Sequence, residues 1–424
     1  MPRLLMDLTP LRVSVPYRRM WLGTSLSGIG TALTNVVVGL QVYEITGSTA
    51  AVGMVGLFAV VPLVALGLYG GALVDAHDRR RVILFTSTGL FAVSVVFAAQ
   101  AAVGVGDVRV LYALVAVQNA LFAVNSPART AIVPRLVGTR LLPAANALSS
   151  LSFGVSMTIG PLLAGVLVGW AGYGWAYGVE VVLLLVALAS LVALPAMPPE
   201  GEVRRAGLAS VLEGLSFLRT RPNVRATFMV DLTAMVLAMP RVLFPAIGTA
   251  LIGGGARTVG VLTAGIAVGS LLAGLFSGPL GHIRRQGLAV VVAVVGWGLS
   301  VAAFGLVVSL SPGPTPTGGA TGVLWAAAGC MVLAGAADSI SAIFRSTILQ
   351  AATPDALRGR LQGVFIVVVA GGPRLGDLAL GTLGSAAGEA TAAVLGGVAC
   401  AIGVVMFSLA QRGFLRYDAE HPVP

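Results

Sequence analysis

Gly70-Gly-Ala-Leu-Val-Asp75-Ala-His-Asp-Arg79-Arg-Arg-Val-Ile83 is a short charged passage between two long apolar runs. Neither residues 52–74 before it nor residues 82–103 after it contain a charged side chain. At about 1.5 Å per residue each run is long enough to cross roughly 30 Å of hydrocarbon as a helix. The passage therefore reads as the water-facing turn of a membrane helical hairpin. Continuous apolar runs, in place of ten-residue alternation, disfavour a membrane β-barrel.

Working outward, apolar runs recur at about 21–42, 108–127, 148–168 and 175–194, and then at 226–247, 259–280, 287–310, 322–344, 361–383 and 390–409. The expected fold is an all-α membrane protein with twelve transmembrane helices in two pseudo-symmetric six-helix bundles. Its N-terminal bundle spans 1–194, a cytoplasmic linker 195–223, and the C-terminal bundle 224–424. Composition agrees, since 57% of the chain is hydrophobic and only 10% charged, against about 25% charged in soluble domains. All 26 basic residues are arginine. With no lysine there is no P-loop phosphate lysine and no Schiff-base chemistry, so the chain is expected to have no ATPase of its own. Cys330 and Cys400 sit in apolar runs, and His77, His282 and His421 are scattered. No metal site, no cofactor and no enzymatic activity are expected. The N-terminus lacks the features of a cleaved signal peptide, and its first long apolar run, near Trp21, is expected to remain as an anchor.

Loop by loop, 21 arginines fall on one side of the membrane, including Arg79–Arg81, Arg129 and Arg135 of the second and fourth loops and Arg204, Arg205, Arg219, Arg221 and Arg225 of the linker. Arg109 and Arg257 fall on the other, and Arg241, Arg345 and Arg374 lie at membrane depth. The asymmetry places both termini in the cytoplasm and accounts for the net charge of +10 without nucleic acid. The halves also echo one another. Gly71 to Asp75 with Arg79–Arg81 recurs as Gly278 to His282 with Arg284 and Arg285, and Arg129 and Asn146 recur as Arg345 and Gln362. In transporters built from such repeats the substrate site lies at the repeat interface near the bilayer midplane.

The opening passage resembles the major facilitator signature between helices 2 and 3. Gly71, Leu73, Asp75, Arg79 and Arg80 match it, while Ala76 and Asp78 replace an arginine and a glycine. The resemblance implies a conformational latch in which Asp75 meets the start of helix 11 near Leu361. Ser156-x-x-x-Gly160-Pro161-Leu-Leu-Ala164-Gly165 is similar to the antiporter motif of that superfamily's exporters, with Ser156 and Ala164 in place of glycines. Arg241 to Ala246, Leu349 to Pro354, Gly359 to Gly363 and Gly376-Asp377 resemble the enterobactin (siderophore) exporter and drug:proton antiporter branch. The resemblance implies a proton-coupled secondary exporter of the bacterial inner membrane, working by alternating access as a monomer. Its substrate would be a siderophore or an amphipathic small molecule, and a macrolide or multidrug efflux antiporter is the alternative. A non-transporting membrane sensor or assembly partner is the rival of another class, and it lacks a soluble effector domain.

Ionisable groups at membrane depth face a cavity, a partner or an ion path. Asp231, Asp338 and Asp377 are the proton-coupling candidates. Arg241, Arg345, Arg374, Asn35, Gln118 and Asn119 are the substrate-cavity candidates. Asp338 and Arg345 share a helix face about 10 Å apart along the axis, and Arg374 and Asp377 are i,i+3 neighbours. Glu180, near the external half of helix 6, is the seventh ionisable group at membrane depth and reads as peripheral.

Overall fold

A computed structural model of the chain describes residues 7–195, 197, 216, 218–278, 280, 283–313, 321–351 and 355–418, with side chains described at all of these except 68–76, 139, 350, 351 and 355–370. Among the described residues every regular element is helical. Lipid offers no partner for a backbone N–H or C=O, so a chain this apolar must satisfy those groups within each segment. The first four long helices are α1 (Val15–Thr46), α2 (Thr49–Ala76), α3 (Arg79–Val103) and α4 (Val108–Val137). Asp78 and Asp107 start α3 and α4 by accepting the N–H groups of Arg80 at 2.9 Å and Arg109 at 2.8 Å.

The next helix, Leu142–Val192, has 51 residues. Straight, it would run roughly 77 Å, more than twice the hydrocarbon thickness. It breaks at Gly172, whose φ of 80° suits glycine, into α5 (142–171) and α6 (173–192). Trp170 and Trp175 flank the break and are 82% and 69% exposed, as suits indoles at a lipid–water boundary.

After the linker come α7 (Pro222–Leu237), α8 (Ala256–Leu275), α9 (Gln286–Ser309), α10 (Thr321–Ala351), α11 (Asp355–Ala387) and α12 (Glu389–Ala410). Ten segments among the described residues are long and apolar enough to cross a membrane. With Leu142–Val192 divided at Gly172 and α11 included, the helices accommodate twelve crossings. Phe85, Leu333 and Met406 stand more than half exposed on these helices. An apolar surface of that kind belongs in lipid and not in water.

The sequence predicts an unbroken helix over 226–247, and the structure differs. After Leu237 the chain turns through a 3-10 turn, Pro240–Leu243, and a π turn, Ile247–Leu251. Pro240 has no N–H and its ring crowds the preceding turn, which ends α7. Trp297 on α9 covers the break by donating its indole N–H to the Ala238 carbonyl at 3.1 Å.

The chain divides into two compact units, Met1–Gln41 with Phe58–Gly207, and Val42–Leu57 with Leu208–Pro424. The later boundary falls in the linker, where 196, 198–215 and 217 lie outside the described residues. The core of the first unit gathers Tyr17, Met20, Ile83, Ile132, Leu148 and Leu191. Tyr17 donates to the Ala145 carbonyl and Trp21 to that of Leu148, both at 3.1 Å, fastening α1 to α5. The end of α1 and first turns of α2 join the second unit. There Thr49 donates to Glu389 Oε1 at 2.6 Å and the Ala50 N–H to Ser385 Oγ at 2.8 Å.

Candidate functional site

The six ionisable residues predicted at membrane depth in the C-terminal half, three aspartates and three arginines, form a formally neutral network in the second unit. Arg345 on α10 forms an ion pair with Asp231 on α7, both side chains being under a tenth exposed. Its other terminal nitrogen stands 3.7 Å from Asp338 Oδ1, whose side chain is 35% exposed. The two-turn separation of Asp338 and Arg345 is bridged by the length of the arginine arm. Arg374 and Asp377 on α11 lie at 3.9 Å. Arg241, on the 3-10 turn at the α7 break, is exposed and interacts electrostatically with Asp377, Arg374 and Asp338.

Small residues hold these helices close. A Cβ on Gly53 would meet the Asp377 carbonyl oxygen at 2.6 Å, and one on Gly56 the Arg374 carbonyl oxygen at 2.7 Å. Glycine at both positions lets α2 approach α11 beside the Arg374–Asp377 pair. Chemically, the network contains one shielded ion pair, Asp231–Arg345, one carboxyl that is partly exposed, Asp338, and one that is mostly buried beside its own arginine, Asp377. It also holds a cation, Arg241, on irregular backbone. Broken helices at membrane depth are tolerated where they are buried in protein or line a cavity.

The first unit places its candidates differently. Gln118 is buried and faces Glu180 at 3.5 Å. Asn119 donates to the Val115 carbonyl of its own helix at 2.9 Å, and Asn35 is exposed. The Ser156 motif forms the α1–α5 seam. Ser156 Oγ donates to the Ser25 carbonyl at 3.4 Å, and a Cβ on Gly160 would meet Ala32 Cβ at 2.6 Å. Pro161, Ala164 and Gly165 are buried on the same helix. In the loop motif, Arg79 donates to the Ala131 carbonyl at 3.2 Å and Arg80 to the Val192 carbonyl at 2.7 Å, near the ends of α4 and α6. Gly71 and Asp75 lie on the last turns of α2, and their side chains, like that of Leu361, are outside those described.

Two residues depart from the sequence reading. Arg129, expected in a cytoplasmic loop, is buried within α4 and donates to Thr24 and Ser87 at 3.0 and 3.2 Å. Glu180, expected to be peripheral, is fully buried. Neither has an opposite charge at helical spacing in its own run, so one-dimensional pairing rules gave no signal for them.

Comparison with known proteins then decides the family. A model of the transmembrane secretion effector family matches residues 6–419. The chain belongs to the transmembrane secretion effector family. Along its length it is similar to the enterobactin exporter of Citrobacter koseri, 29% identical over 99% of this chain and 97% of that one. The corresponding exporter of Shigella boydii serotype 18 is 28% identical over 90% of this chain and 88% of its own. Among solved structures, the nucleoside transporter NupG superposes with a TM-score of 0.73 at 12% identity, covering 95% of this chain and 99% of that one. A bacterial homologue of the iron transporter ferroportin gives 0.67 at 15% identity, over 93% and 98%. The fold of this family member is that of the major facilitators. Family membership and the apolar helices make the chain a multi-pass transmembrane protein of a secretion family, and the relatives it matches along its length are exporters.

Proposed function

We propose that this family member is a proton-coupled exporter of the bacterial inner membrane. It would move a siderophore or an amphipathic small molecule out of the cytoplasm by alternating access, as a monomer with both termini cytoplasmic. The carrying observation is the neutral network of three aspartates and three arginines in the second unit. Full-length similarity to enterobactin exporters supports the substrate class.

The network suggests a mode of exchange. An ionised carboxylate accepts a hydrogen bond from a hydroxyl such as a catechol, and a protonated one loses that charge-assisted contact. Proton and substrate then compete for one carboxyl, and binding of either favours release of the other. Asp338, 35% exposed, would take this role, with Asp377, 16% exposed, beside Arg374 as the second candidate, whereas Asp231 is held by Arg345. Arg241 would attract an anionic group of the substrate, with Arg374 beside it. The loop residues Gly71, Asp75, Arg79 and Arg80 would latch one end of the transport cycle.

Efflux from proteoliposomes under an imposed pH gradient tests the coupling, and efflux indifferent to the gradient overturns it. A deletion strain that secretes siderophore normally but becomes sensitive to macrolides would move the substrate to the multidrug class.

A further inference from the structure

Glu180 has no role in the network above, and its surroundings are unlike those of the other acidic groups. It lies on α6 with none of its surface exposed. The groups that act on it are neutral: Gln118 on α4, Thr34 on α1 and Ser94 on α3. Its Oε2, Thr34 Oγ1 and Ser94 Oγ are buried and make no hydrogen bond of standard geometry, although both hydroxyls are near enough to act on the carboxyl. Space for the side chain comes from Gly30, where a Cβ would meet Glu180 Cγ at 3.1 Å.

A buried carboxylate without a cation is costly in any protein interior, and more so at membrane depth. This site can serve either protonation state. Hydroxyls turn to donate or accept, and an amide offers both functions. Thr34, Ser94 and the Gln118 amide can donate to a carboxylate, and the same oxygens can accept from a carboxylic acid. Protonation therefore changes the hydrogen bonding without a change of partner.

A polar stripe reaches Glu180 along α6. Tyr173, Tyr177 and Glu180 are spaced four and three residues apart, on one helix face. Tyr173 lines an open crevice beside the Gly172 break, together with Ala98, Ala102 and Trp175. Tyr177 is fully buried and interacts electrostatically with both Tyr173 and Glu180. Its hydroxyl donates to Gln41 Oε1 at 2.8 Å, and Gln41 and Gln100 exchange two bonds of 3.1 Å. The titratable group that interacts with Glu180 is Tyr177, which in turn interacts with Tyr173, and the groups acting on the carboxyl include no arginine.

We infer that Glu180 is a reversible proton-binding site of the first unit, reached from the crevice along the Tyr173–Tyr177 stripe, and that it carries a proton in the transport cycle. The second clause rests on the proton-coupled reading above. The bond change is simple: the O–H of the carboxylic acid breaks to deliver a proton towards the stripe, and the carboxylate takes the donors of Thr34, Ser94 and Gln118.

The test uses the full chain in lipid nanodiscs. Infrared difference spectra on alkalinisation should lose the C=O stretch of a protonated carboxyl in the wild type and show no such loss at that frequency in Glu180→Gln. In weak buffer with a pH dye, an alkaline jump should release about one proton per chain more from wild type than from Glu180→Gln. Glu180→Asp keeps the acid and should retain a band at a shifted frequency, which serves if the amide variant fails to fold. Identical spectra and proton release in wild type and both variants overturn the site. Proteoliposomes loaded with enterobactin separate the two readings. Wild-type efflux indifferent to the pH gradient sinks the proton-coupled reading while the spectra still decide the site. Gradient-driven efflux unchanged in Glu180→Gln overturns its part in the cycle.

Discussion

Arg345 stands between one shielded carboxylate and one accessible carboxylate, so removing each charge in turn should have unequal costs. In Arg345→Gln, Asp231 keeps a charge in a site where its side chain is 6% exposed. Leaving such a group unpaired costs about 3–5 kcal/mol. Asp231→Asn should cost less, since Arg345 retains Asp338 at 3.7 Å. Asp338→Asn should cost under about 1 kcal/mol, because a pair with a 35% exposed partner is close to a surface ion pair. The double variant Asp231→Asn/Arg345→Gln removes both buried charges and should recover to within about 1–2 kcal/mol of wild type. With Asp231→Asn at about 1–2 kcal/mol, the two single losses exceed that of the double variant by a coupling energy of roughly 3–5 kcal/mol. Denaturant titration in mixed micelles, with thermal midpoints as a second readout, measures the cycle. Additive losses in the double variant, or an Arg345→Gln loss no greater than that of Asp338→Asn, would refute this account of the network.

Gly160→Leu should separate α1 from α5, because even a Cβ there would stand 2.6 Å from Ala32 Cβ. A loss of about 1–3 kcal/mol is expected in the melting profile, and an unchanged profile would mean that the seam yields freely. Trp297→Phe removes the donor to the Ala238 carbonyl at the α7 break. A loss of about 1–3 kcal/mol follows if that buried acceptor stays unsatisfied, and full stability would show that the break is held by other contacts. With both native cysteines replaced by alanine, Arg241→Cys should react with a small polar thiol reagent much faster than Arg345→Cys, as their exposures differ. Equal rates would contradict the accessibility assigned to Arg241.

Much of the fold was legible in one dimension, because lipid punishes an unsatisfied backbone uniformly along a segment. Any charge-free run near 20 residues had to become a helix. Irregularities inside those runs were harder to read. Pro240 is a visible helix breaker, yet the 3-10 and π turns after it depend on Trp297 and neighbouring helices to satisfy the freed backbone. Gly172 is one of 56 glycines, and its φ of 80° is a property of the folded chain.

For the candidate site, membrane depth alone picked out Asp231, Arg241, Asp338, Arg345, Arg374 and Asp377, since the cost of an ionised group in hydrocarbon needs no knowledge of its neighbours. Their division of labour did need it. Asp231 and Asp338 are both acidic residues in apolar runs, and only the packing of α7 against α10 makes one a shielded partner and the other an accessible acid. Arg129 and Glu180 show the same boundary from the other side. Residue chemistry along the chain is enough to say which segments enter the membrane and which charges are costly there, because transfer free energy is a property of each residue. Tertiary structure alone decided which of those charges are compensated, because compensation depends on side chains brought together from helices far apart in the chain.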